Sequence, residues 1–172
     1  MITSIQEFMP FFKRLTVQDF ENISFAMIKP DAMSAKEEII ADIEARGFEI
    51  MFASDFQFSE DSAKNFYYEH HEKGFCVRLV GQMTAGPVEV LILRKVEEGK
   101  PCFALWRETI GATNPANAEE GTLRYKYTYQ LFGGPEKYAK EKATNCFHGA
   151  DSVASVIREA NLVLYDMYLH CA

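Results

Sequence analysis

One histidine of this chain lies just before the predicted start of a helix, where it could take part in chemistry. His148 comes shortly before Asp151 and Ser152, which are residue types that commonly cap helix N-termini. Unpaired N–H groups and the dipole at a helix start favour bound anions such as phosphate. Glu159 follows about two turns down the predicted helix. A neutral imidazole is nucleophilic near neutral pH, so these residues could carry a phosphoryl group, although a lone histidine here is more often a cap or surface residue.

Several other short segments accompany this histidine along the chain. They are Lys29-Pro30-Asp31, Met83-Thr84-Ala85-Gly86-Pro87-Val88, Arg107, Gly111-Ala112-Thr113-Asn114-Pro115 and Gly121-Thr122-Leu123-Arg124, followed by Asn145-Cys146-Phe147-His148-Gly149-Ala150-Asp151-Ser152. In this order they closely resemble the nucleoside diphosphate kinase family. The resemblance extends from about residue 24 to about residue 164, with one interruption.

The resemblance implies a reaction and a role for each matched residue. The γ-phosphate of a nucleoside triphosphate would pass to His148 and then to a nucleoside diphosphate, in a ping-pong cycle with a phosphohistidine intermediate. Glu159 would orient the imidazole through its other ring nitrogen. Phosphates and ribose would be held by Lys29, Tyr67, Arg107, Thr113, Arg124 and Asn145, and the base would lie between Phe75 and Leu79.

The resemblance also implies that Mg²⁺ arrives with the nucleotide, coordinated mainly by phosphate oxygens and water. No residue is predicted to be a protein ligand of a metal. Asp151 could contact the hydration shell, although capping the helix is the simpler role. Lys29 and Tyr67 also have interpretations that involve no function. Lys29 could be a solvated lysine at the end of a strand, and Tyr67 could be an aromatic residue at the edge of the core.

Composition limits the other classes of function. The 172 residues are 48% hydrophobic, which fits one globular domain with a substantial core. Eighteen basic and 25 acidic residues give a net charge of −7, which argues against non-specific nucleic-acid binding. The four cysteines lack metal-ligand spacing, and no stretch has the pattern of a signal peptide or a membrane span. We therefore expect a cytoplasmic protein. If it binds nucleoside tri- and diphosphates, as the resemblance implies, an acidic chain must concentrate its few cations at the site.

Two alternatives belong to other functional classes. A catalytically weakened nucleotide-binding or scaffold member of the family would keep the fold and lose the chemistry, but the nucleophile and its cationic partners occur together here. A nuclease would need a carboxylate metal cluster or a basic groove, and the sequence offers neither. Labelling of the protein by ATP distinguishes the first hypothesis from both alternatives.

Periodicity predicts alternating strands and helices, hence an α/β layer fold. A strand is expected over residues 23–28, helices over 36–46 and 101–110, and a buried central strand over 88–93. Residues Phe48, Ile50, Phe52, Phe56 and Phe58 are predicted to line one side of a further strand. The order of the strands is not fixed by periodicity. The family resemblance implies a ferredoxin-like βαββαβ antiparallel sheet covered by helices.

Three parts of the chain depart from the family pattern. Residues 1–22 form an N-terminal extension to a kinase-like domain over 23–172, and an apolar face in this extension predicts a short packed helix. An inserted loop, with at most a helical turn, is expected near 125–144, with a structural or intersubunit role. Ala150 stands where the family usually has serine. Family members are homo-oligomers, and we expect the same here.

Overall fold

The computed structural model of the chain describes residues 1–134, 136–138 and 145–170. Within these ranges four strands are present: β1 (Ile23–Ile28), β2 (Glu49–Phe56), β3 (Val88–Arg94) and β4 (Phe147–Gly149). The α-helices are α1 (Ile5–Phe12), α2 (Lys36–Ala45), α3 (Glu60–Phe66), α4 (Cys76–Thr84), α5 (Cys102–Ile110), α6 (Leu123–Phe132) and α7 (Val153–His170). The strands and the helices over 36–45 and 102–110 thus form where periodicity predicted them.

The strands form one antiparallel sheet in the order β2-β3-β1-β4. All six residues of β1 are buried, as are the first six of β3, because the two central strands are covered on both faces. One helix, α2, connects β1 to β2, while α5 and α6 lie between β3 and β4. This connectivity is the ferredoxin-like arrangement that the family resemblance implied, with the additional hairpin α3–α4 inserted between β2 and β3.

The N-terminal segment is packed against the edge strand of the sheet. Helix α1 buries Ile5, Phe8, Met9 and Phe12, which is the apolar face predicted from sequence. The ring of Phe8 stacks on Phe52 of β2 at 4.9 Å between centroids. Ahead of the helix, Ile2 donates to the carbonyl of Met51 and accepts from the N–H of Ala53. The extension therefore belongs to the same hydrophobic core as the sheet.

Strand β2 does not keep the simple alternation predicted for its aromatic residues. The register between β2 and β3 shifts between Ile50 and Phe52. Phe48 and Ile50 consequently pack on the face that carries α2 and α5, whereas Phe52 packs on the opposite face with α1 and α7. A one-residue irregularity reverses the side to which later side chains point. The prediction that all five residues line one side was wrong for this reason.

Residues 123–132 form helix α6, and the prediction of a loop through this region was wrong. The hydroxyl oxygen of Thr122 accepts the N–H of Tyr125 at the helix start, and Gly133 ends the helix with a left-handed φ of 83°. Tyr127 and Thr128 are fully buried. Of the remaining predicted insertion, residues 135 and 139–144 lie outside the described residues.

Candidate active site

His148 lies on β4, the short edge strand next to β1, where it is paired with Met27. The sequence had suggested a position directly before a helix, but α7 begins only at Val153 and is capped by Ser152, which accepts the N–H of Ser155 at 3.0 Å. The side chain of His148 is 15% exposed. A rigid strand, rather than a helix terminus, thus fixes the backbone that carries this imidazole.

The imidazole of His148 is held by a carboxylate from the following helix. Its Nε2 lies 2.7 Å from Oε2 of Glu159, whose side chain is 7% exposed. The edge of the ring also packs against Phe66, with centroids 5.0 Å apart. Because Nε2 is engaged by Glu159, Nδ1 is the ring nitrogen left to react with a bound group.

Helix α5 fixes the backbone on either side of the histidine. The indole N–H of Trp106 donates to the carbonyl of His148 at 3.0 Å. One guanidinium N–H of Arg107 donates to the carbonyl of Gly149 at 3.2 Å. A Cβ at position 149 would approach the Trp106 ring to 2.7 Å, so this close contact requires glycine. Arg107 is itself exposed at the cleft, where its remaining N–H groups can reach an anion.

Arg124 is a buried cation that links three separate segments of the site. It donates to the carbonyl of Gly111 at 2.5 Å, to the carbonyl of Phe147 at 2.9 Å and to Oδ1 of Asn145 at 3.3 Å. Burial, followed by the positive charge of Arg107, lowers the pKa of Arg124 to about 10. The guanidinium remains charged at neutral pH, so its burial creates a strongly positive region at this end of the cleft.

Lys29 places a second buried basic group beside Arg124. It follows the last residue of β1, its backbone N–H donates to the carbonyl of Cys146, and it is 3% exposed. Burial is the main cause, and the nearby Arg124 the second, of a pKa that falls from the ordinary lysine value to about 7. Two cations that repel one another in a buried place are stabilised by an incoming anion.

These side chains surround one cleft of about 630 Å³. The cleft brings together every residue predicted from the sequence: Lys29, Tyr67, Phe75, Leu79, Arg107, Thr113, Arg124, Asn145, His148 and Glu159. Phe75 and Leu79 lie one turn apart at the start of α4 and supply an apolar wall. The amide of Asn145 donates to the carbonyl of Thr113 at 3.1 Å, which ties the loop after α5 to the approach to β4.

Three further residues of this region were not predicted. Trp106 orients the backbone at His148, while Arg158 and Glu69 line the cleft and approach one another to 3.6 Å. Arg158 is adjacent to Glu159 in sequence, which is a signal that could have been used. Nothing in the sequence indicates that Glu69, which follows α3 in a short turn, faces the same cleft.

Comparison with known proteins identifies the family of this chain. The family model described as nucleoside diphosphate kinase matches residues 22–168. The chain belongs to the nucleoside diphosphate kinase family. The family resemblance and the ferredoxin-like fold inferred from the sequence are thereby confirmed.

Individual relatives agree with this assignment. The nucleoside diphosphate kinase of Methanothermobacter thermautotrophicus is 39% identical over 81% of this chain and 84% of its own length. That of Deinococcus radiodurans is 36% identical over 83% of this chain and 94% of its own. Among solved structures, the enzyme of Halobacterium salinarum in complex with CDP superposes with a TM-score of 0.66 at 25% identity, over 81% of this chain and 85% of that one. The Aquifex aeolicus enzyme gives 0.63 at 26% identity, over 83% and 94%.

Two other properties of the described residues bear on the sequence predictions. No helix in the described ranges combines the length and apolar character that crossing a membrane requires. Within those same ranges, no three histidine, cysteine, aspartate or glutamate side chains gather as a metal-binding group.

Proposed function

We propose that this protein is an active nucleoside diphosphate kinase in which His148 transiently carries the phosphoryl group. The observation that supports this most directly is the 2.7 Å contact between Nε2 of His148 and Glu159, at the end of a cleft that also contains Lys29 and Arg124. A nucleophile, a group that fixes its orientation and buried cations each favour phosphoryl transfer through histidine.

In the first half-reaction, Nδ1 of His148 attacks the γ-phosphorus of a nucleoside triphosphate. A nitrogen–phosphorus bond forms, the bond between the γ-phosphorus and the bridging oxygen breaks, and the nucleoside diphosphate leaves with the electron pair. The proton stays on Nε2, and the carboxylate of Glu159 balances the positive charge that develops on the ring. The second half-reaction reverses these steps with a different diphosphate.

The cations stabilise the transferring group during both half-reactions. Negative charge spreads over the phosphate oxygens, and Lys29, Arg107 and Arg124 supply positive charge next to His148. Fork-shaped guanidinium groups suit phosphate oxygens, whereas Lys29 acts as a point charge. Phe75 and Leu79 would contact the faces of the base without reading its edge, so little discrimination among bases is expected. Tyr67, Thr113 and Asn145 complete the contacts to phosphates and ribose.

The nucleotide substrate is proposed to carry Mg²⁺, bound mainly by its own phosphate oxygens and by water. Asp151 lines the cleft and is exposed. Its carboxylate accepts the hydroxyl of Ser155 at 2.7 Å, which is the main reason that its pKa lies below the ordinary value. An ionised carboxylate there suits a hydrogen bond to a water of the Mg²⁺ hydration shell.

We further propose that the protein is a cytoplasmic homo-oligomer, with residues 1–22 as an extension of a kinase domain over 23–172. The net charge of −7 argues against nucleic acids as partners. The alternative of a weakened scaffold member has no specific support, since His148, Glu159 and the predicted cations all line the cleft, and the departure at Ala150 removes no reacting group.

Labelling with γ-phosphate-labelled ATP tests the proposal. The wild-type protein should acquire acid-labile phosphate, lose it on addition of a nucleoside diphosphate, and give parallel lines in double-reciprocal plots. His148→Ala should fold, bind nucleotide and incorporate no label, because its contribution lies in the covalent step. His170→Ala, which changes an exposed histidine at the end of α7, is the matched control. Near-normal transfer by His148→Ala, or ternary-complex kinetics without a phosphoenzyme, would contradict the mechanism.

A further inference from the structure

Arg158 lies on α7 immediately before Glu159 and contacts both sides of the cleft. Its Nη2 is 3.7 Å from Oε1 of Glu159, and its Nε is 3.6 Å from Oε1 of Glu69. We propose that Arg158 is a positioning residue that holds Glu159, and through it His148, in the geometry for phosphoryl transfer. This inference rests on the proposed function and adds a residue to it.

The two oxygens of Glu159 are divided between two partners. Oε2 contacts Nε2 of His148 at 2.7 Å, and Oε1 faces Arg158. Among the described residues, these are the two basic side chains within 4.0 Å of the carboxylate. Because the Glu159 side chain is only 7% exposed, water supplies little compensation for a missing partner. The positive charge of Arg158 thus faces the second oxygen of Glu159, and their attraction opposes rotation of the carboxylate.

Arg158 is itself fixed from the α3 side of the cleft. One Nη1 hydrogen bond of 3.4 Å reaches the carbonyl of Phe66, the last residue of α3. The Phe66 ring packs on the imidazole of His148. Glu69 belongs to the short turn after α3 and also lines the cleft. A planar guanidinium can span these three partners at once, whereas an ammonium group cannot.

The chemical consequence concerns the rate of the covalent step rather than nucleotide affinity. If Arg158 acts through Glu159, removing Arg158 lets the Glu159 carboxylate rotate away from Nε2 of His148. The imidazole then no longer points Nδ1 at the phosphorus. Misorientation of a nucleophile slows its reaction without removing any contact to the bound substrate. A residue that touched phosphate directly would instead change the affinity for both nucleotides.

Single-turnover labelling at saturating ATP measures this step. We expect Arg158→Gln to slow phosphoenzyme formation about 3- to 10-fold while the dissociation constant for ADP changes less than about twofold. Arg158→Lys, which retains the charge, should lie closer to the wild type. In a Glu159→Gln background, Arg158→Gln should add less than about a twofold further loss, because its route of action is already removed. Arg94→Gln, which breaks an exposed Arg–Glu pair with Glu49 far along β3, is the control for loss of a surface ion pair.

Three outcomes would overturn the inference. In the first, Arg158→Gln forms phosphoenzyme at the wild-type rate at saturating ATP, and in the second it loses only nucleotide affinity. In the third outcome, the fold-loss in rate of the double variant equals the product of the fold-losses of Arg158→Gln and Glu159→Gln. Thermal unfolding of each variant identifies misfolding, and if Arg158→Gln fails to fold, the comparison of Arg158→Lys in the two backgrounds decides. A wild-type protein that forms no phosphoenzyme would refute the proposed function. A labelled wild type with an unaffected Arg158→Gln would refute only the role of Arg158.

Discussion

Ala150 is a buried, apolar residue two positions after His148, where the family resemblance leads us to expect serine. It is 1% exposed and belongs to the same hydrophobic cluster as Val156 and Ala160, which flank Glu159 on α7. A serine hydroxyl could add a hydrogen bond near the His148–Glu159 pair, which alanine cannot make. The residues present therefore leave Glu159 more dependent on its other contacts.

Ala150→Ser should consequently raise either the rate of phosphoenzyme formation or the stability. One neutral hydrogen bond is worth about 0.5–1.5 kcal/mol, which corresponds to roughly a 2- to 13-fold change in rate. Single-turnover labelling and urea unfolding measure the two quantities. Ala154→Ser, at an exposed position on α7, controls for the effect of an added hydroxyl. If neither quantity improves in Ala150→Ser, the argument from the missing hydroxyl fails.

Lys29 links nucleotide binding to proton uptake. Burial and Arg124 hold its pKa at about 7, so at pH 8 most of the free protein has a neutral amine at this position. A bound polyphosphate favours the charged form and raises this pKa again. The protein should therefore take up a proton, at most about one per site, when ADP binds at pH 8.

Calorimetric titrations at pH 8 in buffers of different ionisation enthalpy measure this uptake. At that pH the ADP phosphates are fully ionised and do not contribute a proton change. Lys29→Met should bind ADP more weakly and with no uptake at this position. Equal proton uptake in the wild type and in Lys29→Met would show that another group is responsible.

At the scale of elements, several strands and helices have a hydrophobic pattern in the sequence that predicts them correctly. The apolar runs over β1 and β3 and the apolar face of α1 predict buried elements, and the structure confirms them. The irregularity between Ile50 and Phe52 is not visible in the sequence, because an extra residue in a strand leaves no compositional mark. Helix α6 was missed because Gly, Asn and Pro before it suggested a continuing loop, although Thr122 is a suitable cap.

The same contrast holds for the site residues. The ten predicted residues come from separate elements, so no local pattern places them in one cleft. The family resemblance, carried by the order of the motifs, is what predicted that they lie together. The placement of His148 on a strand depends on pairing with β1, which is a long-range contact that local signals cannot reveal. Glu69 was missed for a similar reason, because it meets Arg158 of α7 only in the folded chain.

Helix α1 is expected to contribute directly to stability through Phe8. This side chain is fully buried and contacts the Phe52 ring of β2. Truncation of a buried phenylalanine to alanine costs about 3–5 kcal/mol. Phe8→Ala should lower the free energy of unfolding by this amount, while Phe11→Ala, on a partly exposed position of the same helix, should cost distinctly less. Equal effects of the two substitutions in denaturant titrations would mean that α1 is not docked as described.

At the scale of the whole molecule, the described part of the predicted insertion has an inner and an outer face. Tyr127 and Tyr138 are fully buried, and the hydroxyl of Tyr138 donates to Asp31 at 2.9 Å. These contacts support a structural role for the inner face. On the outer face Tyr129 is 49% exposed and lies against Tyr125, with ring centroids 4.5 Å apart. An aromatic pair that is partly exposed suits an intersubunit contact better than catalysis.

The proposed homo-oligomer should respond to salt in a direction set by its charge. Each subunit carries a net charge of −7, so identical copies repel one another at low ionic strength. Raising the salt concentration shortens the Debye length from about 30 Å at 0.01 M to about 10 Å at 0.1 M, while apolar contacts are retained. Light scattering should therefore show a solution mass that is a multiple of 19.6 kDa and an assembled fraction that rises with salt.

Tyr129→Ser should lower that fraction and leave phosphoenzyme formation per folded chain unchanged, with Tyr68→Ser as a control at another exposed tyrosine. A monomer at every protein and salt concentration would refute the assembly, and a Tyr129→Ser variant that assembles normally would remove α6 from the contact.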